Sequence, residues 1–388
     1  MSLKMIEREY YDNEVFEEHN VWRKNVPYMY DLMFSYALKW PSLSVQYFPD
    51  SRRDDRKEST SQRLLLSTNT NGEEQEYIHI ASVEFPDKYD ELLSDDCNGD
   101  LRFKFEQSIP VHSSINVVRY NPVAFHLLAA RFDTEDIHIF DYTKHLATSE
   151  YAEPDVVLKG HSKGGYGLCW NPLITSELAT AGEDNKICIF NITESSKNIR
   201  ATTKLKYHSK IVNEISYNYN NDTVLASVSD DKSLIIWDTK IKKPSYVVSD
   251  AHESDILSCH FSPLNSFYLA TSSEDRSVKI WDTRNLSTSV YTLLRHSSGC
   301  GKVQWSPHFE SILASAGKDK RVCMWDLSLY GNILSEEDAL DGPPELMFLH
   351  GGHTDNVVDI SWNPAEIYEI ASVSEDNVLQ IWQIPERE

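Results

Sequence analysis

The chain has 388 residues, of which 40% are hydrophobic and 11% aromatic, and its 37 basic and 60 acidic residues give a net charge of −23. Such an acidic chain repels nucleic acid and attracts basic partners, so direct binding to nucleic acid is not expected. The sequence contains no apolar run of about 18 residues, no signal-peptide pattern at its start and no C-x-x-C pair. These features argue against membrane attachment and favour reduced thiols in an intracellular protein.

The N-terminal segment, residues 1–39, predicts an α-helix running to about residue 38. Two largely apolar sets recur at helical spacing along it: Tyr11, Val15, Glu18 and Trp22, then Met29, Leu32, Met33 and Tyr36. We expect the helix to end before Trp40-Pro41, because the residue before a proline is disfavoured in helical conformation. We expect residues 40–388 to form a β-domain on which the N-terminal segment packs.

The β-domain begins with LSVQYF, RLLLST and YIHIASVEF, which have the length and composition of strands. A spaced pattern follows five times, in which a His precedes an Asp by 23 residues and an aromatic residue lies six residues beyond the Asp. A Ser or Thr stands four residues before each Asp. The five sets are His161, Thr180, Asp184 and Phe190; His208, Ser227, Asp231 and Trp237; His252, Thr271, Asp275 and Trp281; His296, Ser315, Asp319 and Trp325; and His353, Ser372, Asp376 and Trp382.

An irregular sixth copy, His112–Asp136–Phe140, precedes these five, and successive His residues lie 44 to 57 positions apart. This interval is typical of a propeller blade of four strands. Six marked units and the unmarked first unit predict an all-β fold, a seven-bladed WD-repeat β-propeller with an N-terminal α-helix. Because the chain ends just beyond Trp382, we expect a strand from the N-terminal region to complete the last blade.

The repeated polar residues predict a structural hydrogen-bond network. In it the Asp carboxylate bonds to the His ring, the His ring bonds to the Ser or Thr hydroxyl, and that hydroxyl accepts from the indole N–H. The alternative is a set of catalytic triads, but a nucleophile requires one activated site and not five equivalent ones. No pair among the 14 His has zinc-ligand spacing with cysteine partners, and no phosphate-binding glycine loop occurs. We therefore expect a binding protein without catalytic residues, metal or cofactor.

Two acidic segments do not fit the pattern of four short strands per blade and are longer than ordinary connections: residues 87–100 and residues 328–349. Loops of this length in a compact domain are usually functional or disordered. The second loop carries carboxylates, two prolines and apolar residues in this order: Glu336, Glu337, Asp338, Asp341, Pro343, Pro344, Glu345, Leu346, Met347 and Phe348. Carboxylates beside apolar side chains favour a basic amphipathic helix as the ligand. The alternative is an acidic loop that is simply solvated.

A second candidate surface lies at the turns that carry the structural Asp residues. The residues immediately before these Asp positions are Glu135, Glu183, Asp230, Glu274, Lys318 and Glu375. Acidic side chains at five of the six turns would ring one face of the disc and attract a basic peptide tail toward the central channel. Ordinary solvation of turns is the alternative explanation.

Six segments resemble the retinoblastoma-associated histone-binding WD-repeat family: NVWRKNVPYMYDLMFSYALKWPSLSVQYFPD, RYNPVAFHLLAA, GHSKGGYGLCWNP, VQWSPHFESILASAG, DGPPELMFLHGGHTDNVVDISWNP and SVSEDNVLQIWQI. The resemblance implies a helix of histone four docked between the N-terminal helix and the proline loop. Carried onto this chain, the groove comprises Met29, Leu32, Met33, Phe348 and Leu349 as apolar walls, with Glu337, Asp338, Asp341, Pro343 and Pro344 in the loop. Asp338 and Asp341 would meet the basic side chains of the histone.

The same resemblance implies that the tail of histone three binds on the disc face. The candidate residues there are Asn116, Tyr166, Glu183, Asp230, Glu274 and Glu375. At three loops where relatives often carry acid, this chain instead has His112-Ser113-Ser114, Lys163-Gly164-Gly165 and Ser298-Gly299-Cys300-Gly301. We therefore expect weaker tail binding than is usual in the family.

Within the family the chain most resembles the fungal accessory subunits of type B histone acetyltransferases. The resemblance implies a non-catalytic subunit, monomeric by itself, that presents newly synthesised histones three and four to a catalytic acetyltransferase subunit in the cytoplasm and nucleus. Subunits of chromatin-assembly, deacetylase or remodelling complexes remain an alternative. A substrate receptor of a cullin ubiquitin ligase is another, because Trp281-Asp282-Thr283-Arg284 resembles the WD-x-R motif of such receptors.

Overall fold

The computed structural model describes residues 3–54, 59–86, 102–146, 152–193, 196–335 and 337–386, with side chains from residue 15 onward other than those of residues 54 and 86. The acidic segment 87–100 and Glu336 lie outside the described residues. Within the described residues, no helix combines the length and the apolar character that crossing a membrane requires.

Over the described residues, one helix precedes 29 strands that form seven sheets, and these are the seven predicted blades. The first elements are helix α1 (Leu3–Met29) and strand β1 (Leu32–Ala37). Blade 1 contains β2 (Val45–Asp54), β3 (Ser59–Ser67), β4 (Glu76–Pro86) and β5 (Phe103–Val111). Blade 2 contains β6 (Ile115–Tyr120), β7 (Leu127–Phe132), β8 (Ile137–Asp141) and β9 (Val156–Lys159).

Blades 3 to 7 follow the same order along the chain. Blade 3 contains β10 (Leu168–Trp170), β11 (Glu177–Ala181), β12 (Lys186–Asn191) and, after β13 (Asn198–Arg200), β14 (Thr203–Lys206). Blade 4 contains β15 (Val212–Tyr217), β16 (Val224–Ser229), β17 (Leu234–Asp238) and β18 (Lys243–Val248). Blade 5 contains β19 (Ile256–Phe261), β20 (Tyr268–Ser273), β21 (Ser277–Asp282) and β22 (Tyr291–Leu294). Blade 6 contains β23 (Cys300–Trp305), β24 (Ile312–Gly317), β25 (Val322–Asp326) and β26 (Leu346–His350), and blade 7 contains β27 (Val357–Trp362), β28 (Glu369–Ser374), β29 (Val378–Gln383) and β1.

Strand β1 closes the ring by pairing antiparallel with β29, so the predicted closure by an N-terminal strand is confirmed. The predicted helix through residue 38 is wrong, because α1 ends at Met29 and the next residues are extended. In β1 the side chains of Leu32 and Phe34 are buried on one face of the sheet, which is the two-residue period of a strand. The boundary at residue 39 is therefore also wrong, since β1 belongs to the propeller.

The hydrophobic core lies between the blades. Seven buried clusters occur in the described chain, and each combines side chains of two neighbouring blades. A single blade therefore cannot bury its own faces, and stability depends on the complete ring. Strand β13, which lies between β12 and β14 in the chain, pairs parallel with β9 and so ties blade 3 to blade 2.

The first strands of successive blades contact one another around the ring and surround the central channel. Because neighbouring strands are antiparallel, the His before each first strand and the Asp turn after each second strand lie on one face of the disc. The loops between first and second strands lie on the other face.

Candidate binding surfaces

The repeated polar residues form the predicted networks in four blades. In blade 4, His208 Nδ1 lies 3.1 Å from Asp231 Oδ2, and its Nε2 lies 2.8 Å from the hydroxyl of Ser227. The indole N–H of Trp237 donates to the same hydroxyl at 2.8 Å. The same contacts occur with Thr271, Trp281 and Asp275 around His252, with Ser315, Trp325 and Asp319 around His296, and, without the indole, with Thr180 and Asp184 around His161.

Blade 7 departs from the predicted network. His353 Nε2 contacts Ser372 at 2.7 Å, and Trp382 donates to Ser372 at 3.2 Å, as predicted. The Nδ1 of His353, however, lies 2.6 Å from the hydroxyl of Ser374, which in turn donates to Asp376. The predicted direct bond between Asp376 and His353 is replaced by a serine that bridges them.

The networks fix the ionisation of the buried carboxylates. Burial alone would raise the pKa of Asp231, but hydrogen bonds from His208 and Ser233 hold that pKa well below its usual range. Asp275 behaves in the same way because His252 and Ser277 donate to it. The serines Ser233 and Ser277, two residues after each Asp, were not identified from the sequence.

Helix α1 is seated on blades 6 and 7 through one stripe of partly buried side chains: Val15, His19, Trp22, Val26 and Met29. Below this stripe the indole N–H of Trp22 donates to the Tyr30 hydroxyl at 2.9 Å, and that hydroxyl lies 2.8 Å from His350 Nδ1. His350 Nε2 lies 2.8 Å from Gln380 Oε1, so the ring donates there and accepts from Tyr30. A continuous polar chain therefore connects the helix to the innermost part of its seat.

Three of the predicted groove residues come together at this seat. Met29, Met33 and Phe348 pack against one cluster, and the Phe348 ring lies 5.2 Å from the Tyr30 ring. The other two predicted apolar walls lie elsewhere. Leu32 is fully buried between blades 7 and 1, and Leu349 packs against the cluster between blades 5 and 6, because alternate residues of a strand face opposite sides.

The proline loop leads directly into β26, which carries Phe348. Glu337, Asp338 and Asp341 are exposed, and Asp338 accepts a hydrogen bond from Ser335 at 2.7 Å within a short 3-10 turn. Pro343 and Pro344 line a cleft on the side of blade 5, together with Leu294, Arg295, Asn332, Leu334, Ala339, Leu340 and Gly342.

The residues of the predicted tail face lie at the expected end of the blades, but most are already engaged within the chain. Asn116 donates to Gly165 at 3.1 Å, Asn213 donates to Asp230 at 2.7 Å, and Asn356 donates to Glu375 at 2.9 Å. Glu274 forms an ion pair with Lys318 at 2.8 Å. Tyr166, by contrast, is 53% exposed, and burial of the remainder together with nearby Glu183 raises its pKa.

An ionic network in the central channel was not identified from the sequence. Arg119 Nη2 lies 2.8 Å from Asp359 Oδ2, and Lys302 pairs with Glu214 and lies 3.9 Å from Asp359 Oδ1. These four residues come from the first strands of blades 2, 4, 6 and 7. Two cations and two carboxylates balance in this network, so these four residues offer no excess acid to a basic ligand.

Among the described residues, no group of three or more His, Cys, Asp or Glu could hold a metal ion. The five cysteines that the structure describes are free thiols. The arginine of the WD-x-R pattern, Arg284, forms an ion pair with Asp282 at 2.6 Å and lies 4.4 Å from the centre of the Phe267 ring.

A seven-bladed ring with a helix seated beside its last blade and a repeated His–Ser/Thr–Asp network defines a WD-repeat propeller protein with an N-terminal helix. The family profile of the histone-binding protein RBBP4, which also covers the corresponding component of the CAF1 complex, matches residues 17–87, and the profile "WD domain, G-beta repeat" matches residues 200–238, 243–282, 287–326 and 345–383. The chain is 57% identical, over 383 residues, to histone acetyltransferase type B subunit 2 of Encephalitozoon cuniculi (strain GB-M1), covering 97% of this chain and 100% of that relative. The chain therefore belongs to the RBBP4 family of histone-binding WD-repeat proteins.

Proposed function

We propose that this chain is the non-catalytic, histone-binding subunit of a type B histone acetyltransferase. It presents newly synthesised histones three and four to the catalytic subunit, which acetylates the histone four tail. The name of the Encephalitozoon relative and the match of residues 17–87 to the histone-binding profile support this assignment. The proposal implies residence in both cytoplasm and nucleus, because histones are made in the first and deposited in the second.

The observation that supports the proposal is that the acidic loop continues directly into β26, whose Phe348 packs at the helix seat. Met29, Met33 and Phe348 present partly buried apolar surface, and the exposed carboxylates of Asp338 and Asp341 precede Phe348 in the same loop and strand. An amphipathic basic helix can place its apolar face on the first set and its Arg or Lys side chains on the second. The histone four helix fits this combination.

Binding of the histone three tail on the disc face is a second part of the proposal. Tyr166 and the neighbouring Glu183 are the most available of the candidate residues, because Asp230, Glu274 and Glu375 are engaged by Asn213, Lys318 and Asn356. The cullin-receptor alternative gains no support, since the guanidinium of Arg284 is occupied by Asp282 and Phe267. Other histone-binding complexes of the same family remain the second candidate.

The test is a titration of a histone four helix peptide against the wild-type chain and the variant Asp338→Lys plus Asp341→Lys. We expect the variant to bind at least tenfold more weakly, because two attractive contacts become repulsive. A matched control is Glu106→Lys plus Glu253→Lys, which changes the net charge equally at two exposed positions on other blades. The control should bind within about twofold of wild type, since separated surface charges are screened by salt.

The salt dependence separates local pairing from the general charge of −23. Affinity of the wild-type chain should fall as salt rises from about 0.05 to about 0.5 M, and the loop variant should show a flatter response. Equal weakening of both variants would show that the peptide responds to net charge alone. Unchanged binding by the loop variant would remove the loop from the histone site.

A further inference from the structure

The proline loop has a second side, which faces blade 5 and not the helix seat. The cleft there lies between the outermost strand of blade 5, β22, and the loop that precedes β26. Its lining is dominated by apolar residues: Leu294, Leu334, Ala339, Leu340, Pro343 and Pro344. Leu294 is 63% exposed and Leu340 is 86% exposed, so large aliphatic side chains on both walls are in contact with solvent.

Further exposed apolar side chains adjoin the lining residues along the chain. Ile333, between the lining residues Asn332 and Leu334 in the chain, is 99% exposed, and Tyr330, two residues before Asn332, is also exposed. The rings of Tyr330 and Tyr291 lie 4.8 Å apart and attach the start of the loop to blade 5. A contiguous group of exposed apolar side chains marks an interaction surface more often than scattered single residues do.

The charge of the cleft differs from that of the rest of the chain. Among the described residues that line it, Arg295 is the one charged residue, and none is acidic. Arg295 is exposed and lies beside Gly342, where a β-carbon would come within 3.6 Å of the guanidinium Nε. No ion pair or side-chain hydrogen bond of Arg295 occurs within the described parts of the chain, whereas Arg63, Arg119 and Arg284 each pair with a carboxylate.

We propose that this cleft docks a short segment of a non-histone partner that carries bulky aliphatic side chains and one carboxylate for Arg295. Histones are basic, so a cleft in whose described lining the one charge is the guanidinium of Arg295 disfavours them. The carboxylates Glu337, Asp338 and Asp341 do not line the cleft. One loop therefore separates two ligands of opposite charge, a basic helix on its acidic side and an acid-bearing apolar segment on its blade 5 side.

The partner is the catalytic acetyltransferase subunit, and this identification rests on the proposed function. Contacts on opposite sides of one loop allow the enzyme and the histone to be held at the same time. Binding of either partner would also order the loop for the other, because both use residues between Leu334 and Phe348.

The experiment measures the affinity of the purified catalytic subunit and, separately, of the histone four helix peptide for the same set of full-length variants. Arg295→Glu and Leu340→Asp should each weaken binding of the catalytic subunit at least tenfold and change peptide binding by less than twofold. The matched controls are Arg200→Glu and Ile241→Asp, which alter an exposed arginine and a 65% exposed aliphatic residue on other blades. Both controls should leave both affinities unchanged.

The outcomes are distinguishable from failure of the proposed function. If Arg295→Glu and Leu340→Asp leave binding of the catalytic subunit unchanged, the cleft is not its docking site, whatever the peptide result. If the catalytic subunit does not bind the wild-type chain at all, the identification of the partner is wrong. If the two variants weaken peptide binding instead, the cleft belongs to the histone site and the proposal is overturned.

Discussion

At the scale of single residues, the repeated network explains why His, Asp and a hydroxyl recur in this chain. The indole N–H donates to the Ser or Thr oxygen, whose own proton then points to His Nε2, and His Nδ1–H points to the carboxylate. Every polar atom in this chain of contacts has a partner although the His side chains are buried. The spacing in the sequence was sufficient to predict these networks because one fixed strand geometry recurs in each blade.

The bridging serine of blade 7 gives a direct test. We expect Ser374→Ala to lower the free energy of unfolding by about 1–3 kcal/mol, because it leaves His353 Nδ1 and Asp376 without their common partner. Ser233→Ala in blade 4 is the matched control, since His208 keeps its direct contact with Asp231 at 3.1 Å. The control substitution should lower the free energy of unfolding by about 1 kcal/mol or less. Urea unfolding measures both, and equal losses would argue against the bridging role.

At the scale of elements, the N-terminal region shows where sequence patterns were ambiguous. Residues 29–36 contain apolar residues that satisfy both the helical period and, at Leu32, Phe34 and Tyr36, the strand period. Tertiary structure decides between them, because β29 needs an antiparallel partner to close the last sheet. The same pairing buries Leu32 and removes it from the groove, whereas Met33 on the opposite face stays at the helix seat.

The seat of α1 should be sensitive to pH. Burial, followed by repulsion from His353, holds the pKa of His350 well below its ordinary value of 6.5. When the helix leaves its seat the ring meets water and that pKa rises toward 6.5. The undocked state therefore binds the proton more tightly, so seating is strongest above pH 6.5 and weakens as the pH falls below it.

Hydrogen exchange of the backbone amides of residues 15–29 measures this seating. After correction for intrinsic exchange, we expect opening of the helix to increase by about fivefold between pH 6.5 and 5.5, the change that one proton binding at a pKa of 6.5 in the undocked state produces. In the variant His350→Gln, opening of the helix should no longer show the part of the pH dependence that protonation of His350 produces. Opening that is independent of pH in the wild-type chain would contradict the role assigned to His350.

At the scale of the whole molecule, the fold and the long insertion between β25 and β26 could be predicted, but contacts between distant blades could not. Arg119, Glu214, Lys302 and Asp359 occupy unremarkable positions in their strands, and only the closed ring brings their side chains together. The cleft beside blade 5 was missed for the same reason. Leu294 and Arg295 are far from the proline loop in sequence and carry no repeated pattern that would indicate their proximity.

The channel network should stabilise the closed ring as a unit. In the variant Lys302→Met, Glu214 loses its cation and Asp359 Oδ1 loses its nearest positive charge, while the Asp359 side chain is only 3% exposed. Breaking a buried ion pair in this way costs about 3–5 kcal/mol, whereas an exposed pair contributes about 1 kcal/mol or less.

Lys318→Met is the matched control, because Lys318 pairs with Glu274 across two blades at the surface, where the side chains are 47% and 37% exposed. Urea unfolding should show a large decrease in the free energy of unfolding for Lys302→Met and a small decrease for Lys318→Met. Adding Glu214→Gln to Lys302→Met should recover part of the lost free energy of unfolding, since it removes a carboxylate that has lost its cation. Similar small losses for both lysine variants, with no recovery in the double variant, would mean that interblade packing alone holds the ring and that the channel charges are not needed for its stability.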